Sequence, residues 1–177
     1  ARYARDRKAK QPTLFSLLPI VEFANQIAQQ NQFFHWQLEF PAVFDQGGFD
    51  CVLGNPPWER IKLQEKEFFA SRNYEIANAA NKAEREQLIK ALQKGDTQLL
   101  QDFEVAKHGA EAQSKFLRES GRFPLTAVGD INTYAVFAET VRSILSPSGN
   151  ASIIVPTGIA TDDTCKKFFG SLGQSQT

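Results

Sequence analysis

The stretch Phe49–Trp58, FDCVLGNPPW, decides the reading of this chain. Phe49, Cys51, Val52 and Leu53 have the character of a short buried strand, and the strand runs straight into Asn55-Pro56-Pro57-Trp58. Two prolines fix φ twice and bias the preceding Asn toward an extended conformation, so the turn is rigid. An Asn side-chain oxygen and a neighbouring backbone carbonyl then offer two fixed hydrogen-bond acceptors. Trp58 adds a flat aromatic face. The turn follows a strand and therefore lies at its carboxyl end, where open α/β sheets bind ligands. The plainer reading is a rigid turn with an aromatic staple, since Asn and Pro are common turn residues.

Working outward, Gln46-Gly47-Gly48 predicts a turn into that strand. These glycines precede the strand, so they do not form a phosphate-cradling loop of the dinucleotide-binding kind. Upstream, FFHWQLEFPAVF (Phe33–Phe44) is aromatic-rich and expected to be extended over His35–Phe40, with Pro41 as the stop. His35 and Trp36 read as packing residues, because no second His or Cys stands at a metal-ligand spacing. Apolar residues at helical spacing from Leu14 to Ala28 predict a helix over about Pro19–Asn31 packed on a sheet. The basic start (Arg2, Arg5, Arg7, Lys8, Lys10) reads as a solvated terminus, with a phosphate-contacting arm as the alternative.

Downstream the character changes. Ile61–Leu92 is rich in Ala, Glu, Lys and Gln and predicts one or two helices closed by Lys94-Gly95-Asp96. Thr97–Glu119 predicts another, with Leu99, Leu100, Phe103 and Phe116 for its buried face. Runs such as Lys82–Glu86 read as solvated faces with i,i+4 pairs. The last third returns to α/β patterning. Asp130 or Asn132 can cap a helix over about Asn132–Leu145, with Val136, Phe137, Val141, Ile144 and Leu145 on its apolar side. Ser146–Gly149 forms a turn and Ala151–Val155 a second buried strand. A final helix over about Asp162–Leu172 turns Phe168 and Phe169 inward. The fold class is α/β: a partial doubly wound sheet with a helical-hairpin insertion. The expected division is 1–60 for the first part of that domain, 61–121 for the insertion and 122–177 for the continuation.

Composition sets bounds. The 177 residues carry 20 basic and 20 acidic side chains, a net charge of zero, which argues against this segment alone being a strong nucleic-acid binder. No apolar run is long enough for a membrane, and no signal peptide stands at the start. Two cysteines, Cys51 and Cys165, suit a reducing cytoplasm. The chain has no Met, which predicts a piece of a longer polypeptide.

The Asn-Pro-Pro-aromatic turn resembles the catalytic motif of enzymes that move a methyl group from S-adenosylmethionine to a planar nitrogen. The order strand, Asn-Pro-Pro-Trp, helical insertion, then NTYAVFAETVRSILSPSGNASIIVP (Asn132–Pro156) resembles the catalytic half of an adenine-N6 DNA methyltransferase. It is most similar to the large enzymes of restriction–modification and phage-defence systems, over roughly residues 30–172; FHWQLEFPAVF is similar to that group too. The resemblance implies that Asn55 and the Pro56 carbonyl accept the adenine amine protons, Pro57 holds the turn and Trp58 stacks on a flipped-out base. Asn55 also borders the cofactor site, and Phe137 walls it. The family usually has Tyr or Phe where this chain has the larger Trp58. It also implies double-stranded DNA as partner through the complete protein, and no metal. The family's glycine-rich cofactor loop and ribose-binding acidic residue have no counterpart in this sequence, so the chain is expected to be inactive alone. Related turns serve enzymes that methylate a protein glutamine or an RNA guanine amine. Those are compact after the motif, whereas here a long run separates Trp58 from Asn132. A non-enzymatic alternative is a helical interaction module on a degenerate methylase scaffold.

Overall fold

The computed structural model describes residues 19–174; the basic start and Leu14–Leu18 lie outside them. The chain divides into two compact units, residues 1–45 and 46–177.

In the first unit, helix α1 spans Pro19–Asn31 as expected, but none of its residues is buried. The run after it is not extended. His35 is extended, and Trp36–Glu39 then forms a single helical turn, α2, with the Leu38 and Glu39 amides on the His35 carbonyl. Aromatic spacing accounts for the difference. A helical turn brings Trp36 and Phe40, four residues apart, into a stack with centroids 6.0 Å apart, and Phe34 meets Trp36 edge-on at 4.9 Å. Pro41 does not stop the chain but opens the next helix, α3 (Pro41–Asp45), at the position where its missing N–H costs nothing.

The second unit is mixed α/β. Its sheet has two parallel strands among the described residues, β1 (Phe49–Gly54) and β2 (Leu145–Ile153). Phe49 pairs with Leu145, and the ladder then resumes at Cys51–Asn150 and runs to Gly54–Ile153. Ser146–Gly149, expected as a turn, belongs to β2 itself and stands where the ladder shifts register. Neither strand is buried as expected: Leu53 is 74% exposed, and only Phe49 and Val52 of β1 are half-buried. A two-stranded ribbon offers too narrow a surface for helices to cover both faces.

Gly47 and Gly48 turn into β1 with φ of +97° and +124°, a region that favours glycine. A Cβ on Gly48 would lie 2.7 Å from the Ile144 carbonyl oxygen, where helix α8 (Thr133–Ile144) passes directly into β2. One on Gly149 would lie 2.5 Å from the Phe49 carbonyl oxygen. The two glycines thus let the start of each strand approach the other's backbone.

Between the strands, the expected one or two helices are three short ones: α4 (Glu65–Ala70), α5 (Tyr74–Ala77) and α6 (Lys82–Ala91), followed by a 3₁₀ turn. Asparagine divides them. Asn73 accepts from the Ile76 amide at 3.1 Å and Asn81 from the Glu84 amide at 2.9 Å, each capping a new helix. Asp96 caps α7 (Thr97–Glu119) through the Leu99 amide. Phe69, Ile76, Ile89, Leu92, Leu99 and Phe103 form one core here, and Leu117, Ile131 and Val136 form a second. The buried residue near the end of α7 is Leu117 and not Phe116, which is 53% exposed. Leu117 lies about four turns beyond Phe103 and so falls on nearly the same face. Lys82 pairs with Glu86 at 3.7 Å on the expected solvated face. Arg85 departs from it: buried, it donates to the carbonyls of Ile76 and Ala79.

The final helical stretch is broken into α9 (Gly158–Thr161), a 3₁₀ turn and α10 (Lys166–Gln174); Phe168 is buried and Phe169 is not. Gly48→Ala is expected to lower unfolding free energy by roughly 2–4 kcal/mol, because a strained φ and backbone overlap combine. Gly95→Ala, where no atom lies within 4 Å of the added carbon, should change it little; urea unfolding of both variants checks the contrast.

Candidate active site

The turn Asn55–Trp58 leaves the carboxyl end of β1, where the Ile154 amide donates to the Gly54 carbonyl at 3.0 Å. Trp58 is 53% exposed, and its indole Nε1 donates to the Ile154 carbonyl at 3.3 Å. The chain end of one strand thereby fixes the ring at the end of the other. Asn55 is exposed, and its side chain has no hydrogen-bond partner among the described residues; the Pro56 carbonyl has none either. The Pro57 carbonyl, in contrast, accepts the Thr133 hydroxyl at 2.7 Å.

Thr133 opens α8, a helix whose sequence offers Asn132 and Asp130 as caps and gives no local signal for Thr133. Asn132 does occupy the cap position, but its side chain makes no capping bond. The bonds that matter run across the chain. The Glu59 amide donates to Thr133 Oγ1 at 2.9 Å, and the Thr133 amide donates to the Glu59 carbonyl at 2.8 Å. Arg60 bridges Asn132 antiparallel, and the Ile61 amide donates to the Ile131 carbonyl at 2.9 Å. No local pattern in the sequence links residues 59 and 133.

Phe137 follows Thr133 by four residues, one turn along α8 on a neighbouring part of its surface. Its neighbours Tyr134, Ala135, Val136, Ala138 and Glu139 are all buried, yet the Phe137 ring is 46% exposed. Expected on the apolar side with Ile144, it is not a core residue. Ile144, 4% exposed, is closed in at the other end of the helix.

The rest of α8 anchors the surroundings. Glu139, buried, accepts from the amides of Leu125 and Thr126 and from the Thr126 hydroxyl at 2.6 Å, which holds the segment ahead of the helix. Tyr134 donates to Asp162 at 3.3 Å and packs with Ala135 and the buried Cys165. Burial, then the charges of Cys165 and Asp162 and their hydrogen bonds, push the Tyr134 hydroxyl up to about 12. Beyond Trp58 a cleft of about 720 Å³ continues along Arg60 and Lys62 to Phe68 on α4 and to Ala110 and Gln113 on α7. Among the described residues no group of three or more His, Cys, Asp or Glu side chains could hold a metal ion, and no helix is long and apolar enough to cross a membrane.

A family model described as Eco57I restriction-modification methylase matches residues 4–103, more than half of the chain. The chain belongs to that family. The match contains β1 and the whole of Asn55–Trp58, whereas Thr133 and Phe137 lie beyond it. Comparisons with curated proteins and with solved structures find no match.

The raised Tyr134 hydroxyl makes a pH prediction. The unfolded chain, with a tyrosine near 10.0, releases this proton before the folded one does. The stabilisation is therefore complete below pH 10 and lost as pH rises to about 12. The unfolding free energy of the native chain, measured from pH 8 upward, should fall across that window relative to that of Tyr134→Phe.

Proposed function

We propose that this chain carries the methyl-transfer site of an S-adenosylmethionine-dependent DNA methyltransferase that acts on the N6 amine of a flipped-out adenine. One observation carries the reading: at the carboxyl end of β1 the Asn55 side chain and the Pro56 carbonyl have no partner among the described residues, while the backbone on either side of them is tied down. The exocyclic amine of adenine is a poor nucleophile because its lone pair is delocalised into the ring. Two fixed acceptors for its two N–H groups draw that lone pair out of the ring and aim it. Pro57 keeps the turn rigid, and the ring of Trp58, oriented by Ile154, is the platform for the base.

S-adenosylmethionine supplies an electrophilic methyl group on a sulfonium. The residues present fit one wall of its site: Phe137 keeps an open aromatic face on an otherwise buried helix, one turn from the residue that grips the motif. Methyl transfer is an in-line displacement in which positioning supplies much of the rate, so the reading requires no strong general base. The α/β unit is read as part of a doubly wound, Rossmann-like sheet, with catalytic segments 1–60 and 122–177 flanking a helical insertion, 61–121. The DNA grip and the remainder of the cofactor site are assigned to the complete protein.

The test is methyl transfer from labelled S-adenosylmethionine to DNA by the complete natural protein, with Asn55→Ala beside it. Label should appear as N6-methyladenine, and Asn55→Ala should lower kcat about 100- to 1,000-fold, the scale for removing one preorganised polar group. Label on protein glutamine or RNA guanine would reassign the substrate. Full activity in Asn55→Ala would favour a scaffold whose helices serve as an interaction module.

A further inference from the structure

The turn presents three features in succession that look alike in sequence and differ in the fold. Among the described residues the Asn55 side chain and the Pro56 carbonyl have no hydrogen-bond partner, and the Pro57 carbonyl has one. The Thr133 hydroxyl has one proton. The Pro57 carbonyl at 2.7 Å lies closer than the Glu59 carbonyl at 3.1 Å, and Oγ1 accepts the Glu59 amide at 2.9 Å in return. One side chain thus holds the backbone on both sides of Trp58. It stands on the first residue of α8, and Phe137 stands one turn further on the same helix.

We propose that Thr133 is a positioning residue for methyl transfer: its hydroxyl fixes the Asn55–Trp58 turn in register with α8, so that the groups meant for the methyl acceptor and the Phe137 wall move as one body. The inference rests on the methyltransferase reading above and goes beyond it by assigning a residue outside the motif. Two features set this hydroxyl apart from a helix cap. Its partners belong to residues 57 and 59, more than seventy positions away, and not to the first turn of its own helix. The same two residues are joined independently by the Thr133 amide bond to the Glu59 carbonyl at 2.8 Å, so the chain stays closed here without the hydroxyl. The hydroxyl's separate contribution is the angle and height of the turn. It also fixes which carbonyl remains for substrate: with Pro57 engaged, the open acceptor beside Asn55 is that of Pro56.

Thr133→Val keeps the side chain's volume and the backbone bond and removes only the hydroxyl; Thr133→Ser keeps the hydroxyl and removes a methyl. In the complete protein, methyl transfer should show kcat for Thr133→Val reduced about 10- to 100-fold, the scale of a small misplacement of a reacting group. KM for S-adenosylmethionine should be unchanged, and Thr133→Ser should return kcat to within about threefold of the native value. Full kcat in Thr133→Val, or a loss in Thr133→Ser as deep as in Thr133→Val, overturns the inference. Thermal unfolding identifies a Val variant that fails to fold; Thr133→Ala then replaces it under the same criteria. Asn55→Ala run in parallel separates the two layers. If it is inactive while Thr133→Val is fully active, only the positioning role fails. If Asn55→Ala is fully active, the reading of the turn fails and this inference with it.

Discussion

Two parallel strands cannot be joined by a tight turn, and that constraint governs this molecule. β1 and β2 pair along their lengths, so everything between Gly54 and Leu145 has to leave the end of one strand and come back to the start of the other. The crossover is closed at a neck, where Glu59–Ile61 lies hydrogen-bonded along Ile131–Thr133. The cost of closing a loop grows only slowly with its length once the ends are held, so a long helical excursion is tolerated there. The Asn-Pro-Pro-Trp turn occupies the few residues between strand end and neck. It is rigid because both of its boundaries are fixed by long-range pairing.

Beyond the neck the excursion has its own organisation. Its first core draws on α4 to α7 and its second joins the end of α7 to α8. Buried polar side chains fix the joints. Arg85 donates to the carbonyls of Ile76 and Ala79 around the end of α5, and Glu139 takes three donors from the segment before α8. Removing either partner would leave buried groups unpaired, which costs more than the bond itself contributes.

The legibility of the fold follows the range of the interactions. Helices over 19–31 and 97–119, the Gly47-Gly48 turn, and β1 running into the motif all rest on local signals: periodicity, caps and backbone-restricting residues. Where the deciding contact is slightly longer, reading failed. Trp36 and Phe40 look extended until their ring stack is known, and Phe116 looks buried because hydrophobicity alone does not give helical phase. The buried-strand pattern of β1 described a wider sheet than the two strands among the described residues provide. At the site, Asn55 through Trp58 could be named from the motif. Phe137, expected on the apolar side of its helix, is 46% exposed there, because helical phase turns it away from the buried Tyr134, Ala135, Val136 and Ala138. Thr133 could not have been found, since its partners are more than seventy residues away and a threonine at a helix start already has a sufficient local explanation.

Helix α7 gives the molecule a mechanical element. Its 23 residues span roughly 35 Å, with Leu99 and Phe103 clamped in one core and Leu117 in the other. Between the clamps it runs largely in solvent, and Ala110 and Gln113 there form the far side of the cleft that begins at Trp58. It is therefore a strut, and struts convert angle into distance. A tilt of about 5° about Phe103 moves Gln113, roughly 15 Å along the helix, by roughly 1 Å. The gap beside Trp58 is consequently tied to both clamps at once, Phe69, Ile89 and Phe103 at one end of the beam and Leu117 at the other.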